Sequence, residues 1–170
     1  MKSIIIPIVE EEKAAEKSPQ SYIEEVKVLI RRKTYGSALR VAKDALTHYP
    51  EDPMVLSYYG LLVTLVQKKH GEGIKICKKS LKALKKSDYD KTAAYPSLYL
   101  NYGRVYLLGG DKNKAFDTFH KGLSKDHEYK DLIWELKKLG IRRPPVIPFL
   151  GRSNFLNKYL GKLRHWILTR

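Results

Sequence analysis

Apolar residues recur along this chain at steps of three and four, and strict alternation is scarce. That is the periodicity of helices with one buried face, so an all-α protein is predicted. In "YLNYGRVYLLGGDKNKAFDTF", residues 99–119, large side chains run through Tyr99, Tyr102 and Tyr106, break at Gly109-Gly110-Asp111, and resume after Ala115 at Phe119. Gly103 stands in the middle of the first run. A glycine inside a helix costs about 1 kcal/mol relative to alanine, so this position is expected where a second helix comes too close for a side chain.

The same frame appears twice upstream. Leu56, Tyr59-Gly60, Val63, a turn around Gly71, then Gly73, Cys77 and Ser80 make a second copy. Tyr22, Val26, Leu29, a Tyr35-Gly36 turn, Ala38, Ala42, Ala45 and Pro50 make a weaker one, the first in chain order. A large residue, a large-small pair three on, an aromatic three further, a turn, then a small residue and a large one resembles the tetratricopeptide repeat. The resemblance implies an α-solenoid of antiparallel helix pairs, a right-handed superhelix in which Gly60 and Gly103 oppose Gly73 and Ala115. Repeats are expected at about 19–52, 53–87 and 96–127, with "DYDKTAAY" (88–95) as an insertion between the last two. Residues 128–140 read as a half-repeat whose helix buries Leu132, Ile133, Leu136 and Leu139, a common way to end such a stack.

The flanks differ in character. Residues 1–18 form an N-terminal arm with a short apolar run, "SIIIPIV", followed by Glu10-Glu11-Glu12. That run is too short for a signal h-region or a membrane span. Residues 141–153 hold three prolines and read as a linker. Residues 154–170 follow as a basic amphipathic C-terminal helix. Phe155, Leu156, Tyr159, Leu160, Leu163, Trp166 and Ile167 fall within an arc of roughly 140°, with Lys158 and Lys162 outside it. Docking of this helix on the half-repeat is the expectation, and a membrane surface is the alternative. Either "SIIIPIV" or "PPVIPFL" could also fill the groove described next or exchange into a homodimer.

By resemblance, the concave groove of the superhelix is lined by first helices and binds an extended or helical segment of another protein. Projected onto this chain, it comprises Ile23, Lys27, Ile30 and Arg31 from the first copy. Met54, Leu61 and Leu65 come from the second, and Leu100, Arg104, Leu107 and Leu108 from the third. This predicts an apolar floor with a few cations. Co-chaperone members of the family grip a C-terminal carboxylate with basic and amide residues, but the matching positions here are Ile23, Lys27, Tyr58, Ser97 and Asn101. The carboxylate clamp is absent. Small tetratricopeptide chaperones of type III secretion share the three-repeat size, an architectural likeness only.

Charge adds a second class of function. The chain of 170 residues has a net charge of +15, against roughly 2–8 for most small domains. Lysine and arginine outnumber acids 9 to 3 over residues 53–95 and 7 to 0 over 141–170. Lys75, Lys78, Lys79, Lys82, Lys85 and Lys86 line one side of a helix, and Trp166 joins Lys158 and Lys162 in the tail. These residues suit contact with an anionic membrane or nucleic acid, and the lack of any nucleic-acid module ranks the membrane first. The single Cys77 fits a reducing cytosol, where peripheral attachment to a membrane is compatible with the tail.

Catalytic chemistry finds no support. His48, His70, His120, His127 and His165 form no metal-ligand spacing, and "LGGDKNK" lacks the strand and spacing of a phosphate loop. No enzyme activity, metal or cofactor is expected. The reading is a non-catalytic protein-interaction adaptor.

Overall fold

A computed structural model describes residues 17–140 and the pair 159–160. The expected N-terminal arm up to residue 16, the proline-rich linker and all of the terminal helix but Tyr159 and Leu160 lie outside the described residues. Among the described residues there are seven helices and no strand. They are α1 (Pro19–Arg31), α2 (Tyr35–His48), α3 (Pro53–Gln67), α4 (His70–Lys86), α5 (Lys91–Leu108), α6 (Lys112–Leu123) and α7 (Lys130–Leu139). None is long and apolar enough to cross a membrane.

Local chemistry starts α1, α3, α5 and α6 where polar side chains can satisfy free backbone N–H groups. Ser18 accepts from the N–H of Ser21 ahead of Pro19, and Asp52 accepts from Met54 and Val55 ahead of Pro53. Proline at the first helical position loses no hydrogen bond, since that N–H has no intrahelical partner. Asp90 and Asp111 cap α5 and α6 in the same way.

The turns depart from expectation in two copies. Glycine marks the turn only in the third, where Gly110 takes φ +81°. In the first two copies, Lys33 (φ 60°) and Lys68 (φ 59°) adopt the left-handed conformation. Gly36 and Gly71, read from sequence as turn residues, instead lie in the first turns of α2 and α4 with open space around them. A single left-handed lysine costs roughly 1–2 kcal/mol, which packing on both sides can offset.

The segment 88–95 is not simply a connector. Asp90 caps a helix that already includes Lys91 to Tyr95, so α5 starts five residues ahead of Pro96 and holds that proline inside. Tyr89 anchors the approach, donating its hydroxyl proton to Asp52 at 2.7 Å.

Small residues set the helix spacing. A Cβ on Gly73 would meet the Thr64 hydroxyl well inside contact distance and the Gly60 carbonyl at 2.8 Å, so the expected Gly60–Gly73 crossing is present. Gly103 is different in detail. The ring of Phe119, rather than Ala115, occupies the space its side chain would need.

The core is a series of small clusters, not one centre. Val26, Ala42 and Leu62 belong to a cluster joining α1, α2 and α3, and Leu61, Cys77 and Val105 to one joining α3, α4 and α5. Leu100, Phe119 and Leu132 join α5, α6 and α7. Each helix pair thus depends on its neighbours for burial, as in stacked repeats. On α7 only Leu132 of the four expected residues is fully buried; Ile133, Leu136 and Leu139 are half-buried, and Glu135 shares the inner face.

Candidate functional site

The helix contacts determine which face of the stack is hollow. First helices touch in sequence, α1 with α3, α3 with α5 and α5 with α7, whereas among the described residues α2 does not touch α4 and α4 does not touch α6. A stack held together on one side and open on the other bends around the contacting side. The first helices therefore line its inner face.

Burial sorts the eleven expected groove residues into two groups. Ile23, Leu61 and Leu100 are sealed in the core, at 2%, 4% and 4% exposure, and so contribute packing. Lys27, Ile30, Met54, Leu65, Arg104 and Leu107 are half-buried, and Arg31 and Leu108 are exposed. The expected apolar floor shrinks because α3, gripped by four neighbouring helices, buries ten of its fifteen residues. What survives is concentrated near the C-terminal ends of the first helices. Leu65 and Leu108 hold equivalent places in the second and third repeats, where the first has Arg31, and Ile30 matches Leu107, where the second has the buried Thr64.

The other end of the groove is polar. Tyr58 is nearly buried, and burial pushes its hydroxyl pKa up, while Lys27, Ser97 and Arg104 draw it back down. Asn101 is buried and donates its amide proton to the Ser57 hydroxyl at 3.1 Å. Of the positions matching the carboxylate clamp, Ile23, Tyr58, Ser97 and Asn101 are therefore closed off, and Lys27 is committed to Glu24 at 2.8 Å.

Sequence reasoning missed the closure of the groove at its far end. Arg104 donates from Nε to Glu135 at 2.7 Å, an α5–α7 ion pair in which Glu135 is buried and Lys138 approaches at 3.5 Å. Beside it Trp134 is 55% exposed, with the Lys138 ammonium 3.0 Å from its ring centroid. The Arg and Glu lie thirty-one positions apart, and only the repeat register could have suggested their meeting. At the stack end an apolar hollow of about 290 Å³ opens between α6 and α7, lined by Phe116, Leu123, Ile133 and Leu136. Tyr159, from the helix expected to dock there, is 68% exposed.

Among the described residues no group of His, Cys, Asp and Glu is arranged to hold a metal. Burial pushes the Cys77 thiol up to about 12, which leaves it a poor nucleophile. The turn at Gly109 to Asn113 borders an open hollow and joins two helices.

No family model matches the chain, and no curated protein does either. Solved structures do. The first TPR domain of human RPAP3 is 13% identical, with a TM-score of 0.54 over 71% of this chain and 88% of that one. The Sgt2 TPR domain of Aspergillus fumigatus is 15% identical, with a TM-score of 0.54 over 82% and 93%. The second TPR domain of human RPAP3, solved in complex with the HSP70 peptide SGPTIEEVD, is 16% identical, with a TM-score of 0.51 over 74% and all of that chain. With the alternating helix pairs, the glycine crossings and the inner row of first helices, these likenesses establish that the chain has the tetratricopeptide-repeat fold.

Proposed function

We propose that the protein is a non-catalytic adaptor that holds an extended or helical segment of another protein against the inner face of its first helices. The observation that carries this reading is the set Ile30, Leu65, Leu107 and Leu108, all near the C-terminal ends of first helices and none fully buried. Packing does not consume all of them: Leu108 remains 37% exposed at the end of α5, and Leu65 is half-buried. Apolar side chains near the C-terminal ends of three successive first helices, with Arg31 and Arg104 nearby, suit a segment that presents spaced apolar side chains. The similar RPAP3 domain is solved with a peptide ending in Glu-Glu-Val-Asp. Here four of the five matching clamp positions are buried and Lys27 is paired with Glu24, so a terminal carboxylate is not the feature recognised.

A peptide display selection against the full chain tests this. Selected sequences should carry spaced apolar residues and should lose binding to the Leu65→Glu/Leu108→Glu variant, which leaves the core intact. A peptide ending in Glu-Glu-Val-Asp should bind no better than its scrambled control. Selected peptides that bind the variant equally well would refute the groove. Leu61 is unsuitable for such a test, because a glutamate there would sit in the core and unfold the protein.

A further inference from the structure

The side of the stack away from the groove carries a second feature that the adaptor reading leaves unexplained. Lys75, Lys78, Lys79, Lys82, Lys85 and Lys86 are all exposed on α4. At 100° per residue they occupy about one third of the helix circumference, directly opposite the buried residues Gly73, Cys77, Ser80 and Leu84. Only Lys79 has a counter-ion, Glu51 at 2.7 Å. The other five form no ion pair among the described residues.

This arrangement works against the helix that bears it. Lys75 and Lys79, Lys78 and Lys82, and Lys82 and Lys86 are like-charged neighbours one turn apart, a spacing that destabilises an isolated helix. The other second helices avoid it: α2 places Asp44 among Arg40 and Lys43, and α6 places Asp117 among Lys114 and Lys121. After Glu72 in its first turn, α4 has no acid at all. Neither α2 nor α6 packs against α4, so no neighbouring second helix shields the stripe. An external array of negative charge would relieve the repulsion.

We propose that this face of α4 docks on an anionic lipid surface. The stripe is nearly straight, about 16 Å from Lys75 to Lys86, and it consists of point charges alone. It has no arginine fork for base edges and no aromatic ring for stacking, which are the means by which proteins read nucleic acid. Lysine near an anionic leaflet gains attraction from each charge without needing a shaped partner. With the groove on the inner face and the stripe on the outer, lipid binding leaves the groove open.

The test uses the full chain and a variant with Lys75, Lys78, Lys82, Lys85 and Lys86 all changed to glutamine, Lys79 being kept for its pair with Glu51. The native chain should float with phosphatidylserine vesicles and not with pure phosphatidylcholine, and the binding should fade with salt. The variant should bind at least about tenfold more weakly with an unchanged helical circular-dichroism spectrum. Changing the same five residues to arginine should preserve binding. Equal flotation of the glutamine variant would assign binding to another part of the chain and overturn the proposal. So would failure of the native chain to bind phosphatidylserine, or tighter binding to duplex or single-stranded nucleic acid than to vesicles.

Discussion

Gly103 of α5 lies directly beneath the ring of Phe119 of α6, and the ring fills the space where any side chain at position 103 would begin. Gly73 meets an even less yielding surface, since a Cβ there would abut the Gly60 carbonyl at 2.8 Å as well as the Thr64 hydroxyl.

Alanine substitutions should therefore separate the glycines by role. Gly73→Ala and Gly103→Ala should each lose about 1–3 kcal/mol, with Gly73 the worse because backbone must move. Gly36→Ala and Gly71→Ala, in open helical positions, should gain up to about 1 kcal/mol. Thermal melts of the four variants check the order. A midpoint for Gly103→Ala at or above the native value would remove the close crossing.

Asp52 serves two structures at once. Its Oδ1 caps α3 through Met54 and Val55, and its Oδ2 accepts from Tyr89 on the approach to α5. Asp52→Ala should cost about 1–2 kcal/mol for the cap and also free Tyr89. Tyr89→Phe should cost about 1 kcal/mol and have little further effect in the Asp52→Ala background. A double-mutant cycle by urea unfolding measures this coupling, and additive losses would show that the two act independently.

The Arg104–Glu135 pair predicts an asymmetry. Arg104→Met should cost about 1–3 kcal/mol, because it leaves Glu135 buried with only Lys138 at 3.5 Å to compensate. The double change Arg104→Met/Glu135→Leu should recover most of that loss by replacing both charges with apolar contact. Equal stability of the single and double variants would mean that the carboxylate is not a liability without its arginine.

Cys77 provides a probe of opening. Buried between Gly60 and Val105, its thiol should react with maleimide or a disulfide reagent only when the stack unfolds locally. Burial raises the thiol from 9.0 to about 12. The stability linked to this proton is fully present below pH 9, where both states hold it. It is lost as pH rises from 9 towards 12, because the unfolded chain then releases the proton first. Cys77→Ala should flatten that alkaline decline while lowering stability at neutral pH, and an unchanged alkaline slope would point instead to buried tyrosines such as Tyr58, whose hydroxyl pKa is also raised by burial.

The spacing of apolar residues by itself determined that the chain is helical, and the resemblance of its repeated frame to the tetratricopeptide repeat implied that its helices pair, with Gly60, Gly73 and Gly103 at crossings. Helicity is written in local periodicity, and the place of a close crossing in a small residue where a helix would otherwise carry a large one. Tertiary structure decided the rest. The resemblance placed Ile23, Leu61 and Leu100 on the groove side, but only the close stacking of α1, α3 and α5 revealed that they are sealed while Leu65 is half-buried and Leu108 exposed. Gly36 and Gly71 looked like turn residues, yet Lys33 and Lys68 took the left-handed positions, because a strain of roughly 1–2 kcal/mol is small beside the packing that fixes where each helix must end. Periodicity records which side of a helix avoids water. Which neighbour covers that side, and how completely, depends on helices far apart in the chain meeting in one register.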